Sequence, residues 1–303
     1  MADVATSAHD AFTEHVALRA VRRACDEVGL RSDLAELIRL GSNAVFRINR
    51  DTIARVAPSL ALRNNVRKQV AVARWLESIG YPATRAKDIA QPVEAEGRIV
   101  TFWESVAHDT VYGPISEVAA LIRRLHALTP PASVVLPSIH PFGAQSDPLP
   151  DLAGLPVVDA DYMRSRIEWA RSAFATLPYA LPAGVIHGDA NVGNVLVDTS
   201  GKAVLIDLDS FSTGPREWDL IQTALFYDRL GWHTREEYET FVEVYGYDIM
   251  QWEGYETLAD MREIAMTSWL SKKAADSEAA AAEARKRIAA IRTGASRRDW
   301  GAY

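Results

Sequence analysis

The chain has 303 residues, of which 48% are hydrophobic and 24% charged, and a net charge of −7. This is enough apolar material for two packed lobes, it excludes wholesale disorder, and the acidic balance gives no basis for binding nucleic acid, which calls for a basic patch. The lone Cys25 excludes an internal disulfide, no window holds 18 consecutive apolar residues, and MADVATSAHDAF lacks the basic-then-apolar pattern of a secretory signal. The expectation is a cytoplasmic protein with neither nucleic-acid nor membrane partners.

Residues 12–28, FTEHVALRAVRRACDEV, repeat apolar positions at helical spacing and stop at Gly29, with Cys25 a packed, inert thiol on that helix. Three short strands follow, Leu34 to Leu40, Val45 to Ile48 and Thr52 to Val56, with turns at Gly41–Ser42–Asn43 and Asn49–Arg50–Asp51. The spacing predicts a helix from Asn65 to Ser78, ending at Gly80, and a hairpin turning at Glu96–Gly97. This is a small antiparallel sheet of five strands with one inserted helix, occupying residues 1–104 together with the leading helix.

Residues 105–303 form a larger, mainly helical lobe after a connector from Glu104 to His108. ISEVAALIRRLHAL is an amphipathic helix, Thr129 to Pro156 is proline-rich and irregular, and Asp161 to Leu177 is helical. From Arg235 the pattern is almost entirely helical. The fold class expected is α+β and bilobal.

Within the second lobe, the segment VIHGDANVGNVLV places His187, Asp189, Asn191 and Asn194 among apolar residues. Buried charge needs partners, so this segment is either a surface turn or a place where something charged binds. NVLVDTSGKAVLID, Asn194 to Asp207, reads as one hairpin around Asp198–Thr199–Ser200–Gly201. A turn centred between Ser200 and Gly201 sets Asn194 opposite Asp207, at a cross-strand spacing that lets an amide oxygen and a carboxylate share one small cation. Hard oxygen donors of this kind suit Mg²⁺ completed by water and substrate phosphates. An aspartate in the preceding loop, Asp189, then an asparagine, then a second aspartate one hairpin later is the order used in kinase-type phosphoryl transfer.

HGDANVGN followed by VLIDLDS resembles the aminoglycoside phosphotransferase and choline kinase superfamily, which has a protein-kinase-like fold. The likeness extends through LGSNAVFRI, TIARVA, KQVAVARWLESIGYPATR, VTFWES, LIRRLHAL and GPREWDL. It implies that Asp189 is the catalytic base, that Asn194 and Asp207 bind Mg²⁺, and that His187 braces the loop. It also implies that backbone atoms of Glu104 and Val106 meet the purine of ATP or GTP. Arg55 stands where the superfamily places a phosphate-contacting lysine, Gln69 where a glutamate pairs with it, and Ser42 and Asn43 supply donors in a loop with one glycine. An Arg55–Gln69 contact would lack ionic attraction.

Plainer readings stand beside these. Arg55 can be a solvated strand end, and Asp209 either joins the metal site or bonds local amides. Asp219 braces the loop or caps the next helix rather than doing chemistry. His126, Phe102 and Trp103 read as packing. Most of the acidic residues after Arg235 read as a solvated helix face; Asp260 and Glu263, one helical turn apart, are the candidates for receiving a cationic acceptor. The activity implied is phosphorylation of a hydroxyl on an aminoglycoside or other antibiotic, the alternatives being a metabolic sugar or amino-alcohol kinase and a nucleotide-binding pseudokinase.

Overall fold

A computed structural model describes residues 12–302. In chain order the elements are α1 (Glu14–Val28), β1 (Glu36–Leu40), β2 (Ala44–Asn49), β3 (Thr52–Ala57), α2 (Arg63–Ser78), β4 (Val93–Ala95) and β5 (Arg98–Glu104). Then follow α3 (Ile115–His126), α4 (Val157–Thr176), β6 (Gly184–Ile186), β7 (Val195–Val197), β8 (Ala203–Leu205) and β9 (Ser212–Gly214). The chain closes with α5 (Glu217–Asp228), α6 (Arg235–Tyr245), α7 (Tyr255–Ser271) and α8 (Glu278–Thr293).

Two compact units divide the chain. The first comprises Met1–Gly113, Pro130–Val135 and Asn194–Asp209; the second comprises Pro114–Thr129, Leu136–Gly193 and Ser210–Tyr303. A single boundary near Glu104 therefore does not describe the chain, because the hairpin after the HGD loop groups with the N-terminal sheet.

In the first unit five antiparallel strands run in the order β1-β2-β3-β5-β4. Alternation decides which side is buried: Ala44, Phe46 and Ile48 of β2 point one way, as do Ala54 and Val56 of β3. Register aligns them in rows, Ala44–Val56–Val100–Val93 and Phe46–Ala54–Phe102. Against these rows lies the apolar stripe of α1, Ala17, Ala20, Val21, Ala24 and Cys25. Thr13 caps that helix and Gly29, at φ 74°, ends it. Arg55 pairs with Val45 and Thr101 on the opposite face of the sheet.

Cys25 is fully buried, and burial, with Asp26 beside it, pushes its thiol up to about 11. With a thiolate fraction at pH 8 roughly a hundredfold below that of a free cysteine, iodoacetamide should leave the native protein unlabelled and react on unfolding. Native labelling at a free-cysteine rate, followed by intact mass, would contradict this packing.

The β7–β8 hairpin is held on both sides by its own unit. The Thr84 amide donates to the Leu205 carbonyl, and the Gly113 and Val197 amides pair with Val195 and Val111 carbonyls. Its register corrects the sequence expectation by one residue. Val195 pairs with Leu205 and Val197 with Ala203, and the Ile206 amide donates to the Asn194 carbonyl, so Asn194 faces Ile206 and not Asp207. The loop is Thr199–Ser200–Gly201, with Gly201 at φ 83° and the Asp198 carboxylate accepting from the Ser200 amide, the Ser200 hydroxyl and the Lys202 amide. That is the three-residue hairpin with a left-handed last residue.

The second unit is helical. α3 packs on α6, and α7 is flanked by α4, α5 and α8. α4 starts at Val157, four residues earlier than its sequence pattern suggests, because its first turn exposes two valines. A ring cluster of Phe142, Phe174, Tyr179, Trp218 and Trp252 fills its interior. A short β6–β9 ladder leads into the HGD loop. Among the described residues no helix is long and apolar enough to cross a membrane.

Candidate active site

In the second unit the HGD loop is fixed through its backbone. Asp219, in the first turn of α5, is fully buried and receives the His187 amide on Oδ2 and the Gly188 amide on Oδ1, each at 2.7 Å. His126 Nε2 meets the same Oδ2 at 3.0 Å, while its Nδ1 lies 2.8 Å from the Tyr245 hydroxyl. A neutral His126 satisfies both contacts, with Nε2–H donating to Asp219 and Nδ1 accepting from tyrosine. Burial pushes the Tyr245 pKa far up, which keeps it a donor. Burial opposes the Asp219 charge, but His126 and the His187 amide outweigh it and hold its carboxyl below the usual carboxylate range.

Gly188 adopts φ 86°, and a Cβ there would lie 2.5 Å from the Ser210 carbonyl oxygen, so the loop needs glycine. Trp218 Nε1 donates to the Gly188 carbonyl at 3.1 Å. His187 is fully buried with its amide on Asp219. Asp189 follows with a carboxylate 46% exposed, its Oδ1 accepting from Arg262 Nη2 at 2.7 Å. Asn191 closes the turn, donating from Nδ2 to the Asp189 carbonyl and accepting from the Gly193 amide.

In the first unit a second polar cluster forms around Asp207 and Asp209. Arg55 donates from Nη2 to Asp209 Oδ1 at 2.9 Å and makes a longer contact to Asp207 Oδ1 at 3.4 Å. Asn43 Nδ2 reaches Asp209 Oδ2 at 3.0 Å, and Lys68 Nζ donates to the Asp209 carbonyl at 2.7 Å. Burial works against the Arg55 charge, yet the two aspartates raise its pKa. Burial, reinforced by Asp207, raises Asp209 despite Arg55. Burial lowers Lys68 to about 8 against the pull of Asp209.

Asp207 takes φ 62°, a left-handed conformation that aspartate tolerates better than most side chains. This turn leaves the strand direction at the point where the corrected register would otherwise put Asp207 on the face away from Asn194. Asn194 is buried. The guanidinium of Arg55 is engaged by Asp207 and Asp209 rather than by Gln69, which is buried on α2. Ser42 is exposed in the β1–β2 loop beside Asn43. Glu104 spends its amide on the Arg85 carbonyl, leaving at most its own carbonyl for a ligand, and Val106 follows in the irregular connector.

The acidic pair on α7 needs correcting. Glu263 is 1% exposed and lies between Arg229 Nη1 at 3.0 Å and Arg297 Nη2 at 3.1 Å, so it is part of the packing and does not face an acceptor. Asp260 is half exposed but bonded to Arg229 at 2.7 Å, and Glu256 holds the same guanidinium. Lys68 and Arg262 were missed from the sequence. Each sits in a run of ordinary helix residues, RKQV and DMRE, and the lone signal is a basic residue on an otherwise buried helix face.

These features define a protein-kinase-like phosphotransferase fold, and the comparisons agree. Residues 36–263 match the phosphotransferase enzyme family APH, and the chain belongs to it. Solved structures share the fold at low identity. An amicoumacin kinase, hAmiN, in complex with AMP-PNP, Ca²⁺ and Ami, is 13% identical, with 89% of this chain and 91% of that one covered and a TM-score of 0.67. A spectinomycin phosphotransferase, APH(9)-Ia, with ADP and spectinomycin, is 14% identical over 89% and 92%, TM-score 0.62. The choline kinase LicA from Streptococcus pneumoniae is 15% identical over 89% and 98%, TM-score 0.58. No curated protein sequence matches the chain.

Proposed function

We propose that this phosphotransferase moves the γ-phosphoryl group of ATP or GTP to a hydroxyl of a small molecule, with antibiotics as the leading acceptor class. One observation carries the reading: a half-exposed Asp189 carboxylate stands on a loop whose backbone is fixed by a buried aspartate. In this reading the acceptor O–H donates its proton to Asp189 as its oxygen bonds the γ-phosphorus. The bond from that phosphorus to the β-phosphate oxygen breaks, and the nucleoside diphosphate leaves. Such a transfer depends on positioning and charge stabilisation.

The donor set of the first unit, an asparagine amide oxygen and the Asp207 carboxylate, is the hard oxygen chemistry that Mg²⁺ takes. Asn194 and Asp207 would hold it, and bound there it would neutralise charge on the nucleotide phosphates. Arg55, with Ser42 and Asn43, would face the same phosphates, and Glu104 and Val106 would meet the purine. Within the first unit Asp209 would support Arg55, and within the second His187 and Asp219 would support the loop that carries Asp189.

Asp207→Ala should weaken binding of Mg²⁺·AMP-PNP by about 10–100-fold, the usual cost of damaging a metal shell. Calorimetry with and without EDTA reads this, and wild-type affinity in the variant would remove Asp207 from the metal site.

Antibiotics lead because the amicoumacin and spectinomycin kinases share the fold. The burial of Glu263 between two arginines favours a second reading, a kinase of neutral sugar or amino-alcohol hydroxyls, since the pair expected to receive a cation is otherwise engaged. Product mass with ATP and GTP over aminoglycosides, spectinomycin, choline and simple sugars separates the two. Nucleotide binding with no product across the panel would favour a pseudokinase.

A further inference from the structure

We propose that Arg262 is a positioning residue for phosphoryl transfer, holding Oδ1 of Asp189 and so restricting the carboxylate to the rotamer that meets the acceptor hydroxyl; this rests on Asp189 being the base. Backbone bonds from Asp219 and Trp218 fix the loop at His187 and Gly188, but they do not fix the two side-chain torsions of Asp189. Arg262 Nη2 reaches the carboxylate directly, with a 2.7 Å bond to Oδ1.

Arg262 is itself held by packing and by two bonds from Nη2, while its buried Nε has no hydrogen-bond partner among the described residues. It is buried on α7, its guanidinium lies over the Trp218 ring at 5.0 Å from the centroid, and the same Nη2 donates to Gln222 Oε1 on α5. Trp218 in turn holds the Gly188 carbonyl, so loop, α5 and α7 close a circuit around one side chain. Burying a guanidinium costs several kcal/mol unless it is well paired, and this one is paired with a neutral amide and a half-exposed aspartate. For stability alone an apolar residue against Trp218 would serve as well. Its neighbours Asp260 and Glu263 are engaged elsewhere, by Arg229. Catalytic carboxylates must be held near productive geometry by such supporting contacts.

The test is a double-mutant cycle with Arg262→Met and Asp189→Asn, reading phosphate transfer from Mg·ATP and Mg·GTP to water and to each panel compound, with crystal structures of wild type and Arg262→Met. Arg262→Met should lower kcat by about 10–100-fold with nucleotide KM within about twofold, a loss typical of supporting contacts. Arg262→Lys should recover part of the rate. In the Asp189→Asn background Arg262→Met should change the rate less than about twofold, because coupled residues are not additive. The crystal of Arg262→Met should show Asp189 in more than one rotamer. A loss that persists in the Asp189→Asn background, or a single unchanged rotamer, overturns the proposal. If Arg262→Met does not fold, Gln222→Met, which removes the anchor alone, should cost about 3–10-fold in kcat, and a wild-type rate there overturns it. Failure of the base assignment is a separate outcome, in which Asp189→Asn itself keeps its rate.

Discussion

Asp189→Asn should cut phosphoryl transfer by about 10²–10⁴-fold, the range that a positioned general base contributes, which corresponds to about 3–5 kcal/mol in the barrier. The substitution keeps the shape of the side chain and removes the acceptor of the hydroxyl proton. Arg262 retains Gln222 and the Trp218 ring as partners, so the guanidinium is not stranded. Nucleotide Kd should therefore move less than about threefold, because the residue acts on the acceptor and not on nucleotide binding. Initial rates by product mass and nucleotide titration by calorimetry distinguish the two effects. A kcat within fivefold of wild type would show that another group takes the proton.

The HGD loop was legible because its signals are local. HGD, then four residues, then Asn is a short pattern, and Asp219 lies in the EWDL segment that starts a helix. The strands were legible for a related reason: AVFRI and TIARVA are short, β-branched runs bounded by turn residues, and Glu96–Gly97 is a two-residue turn with φ 51° and 69°, both positive as a type I′ turn requires. The β7–β8 register was not legible, since D-T-S-G accommodates either a two-residue or a three-residue loop. What decides between them is a set of side-chain bonds from Asp198, and the difference of one residue moves the partner of Asn194 from Asp207 to Ile206.

Partners distant in sequence were illegible for a different reason. The reading of Glu263 as an exposed acceptor residue came from a local count of acids, whereas Arg229 and Arg297 reach it from 34 positions away on either side. Burial of an ionised group is set by what folds against it, and a helical window carries no record of that. The same holds for Lys68, which meets the Asp209 carbonyl across 141 positions. The Asp209 carboxylate likewise meets Arg55 and Asn43, side chains contributed by the sheet side of the unit.

Asp219→Ala should be the most destabilising single change in the second unit, by about 3–5 kcal/mol, because breaking a buried charged network leaves its remaining members unpaired. Two buried amides and His126 Nε2 lose their acceptor together, and alanine offers none. The HGD loop loosens as well, so transfer should fall even below the unfolding temperature. The dependence on pH follows from the depressed carboxyl pKa. Such a group gives its full stabilisation above the unfolded value near about 3.9 and loses it as pH falls through the lower folded value. Urea midpoints of wild type and Asp219→Asn should therefore differ by a constant amount from pH 5 to 8, and the gap should narrow below about pH 4. A gap that is negligible at pH 7, or that widens into acid, would mean that the loop amides find another acceptor and that Asp219 does not organise the site.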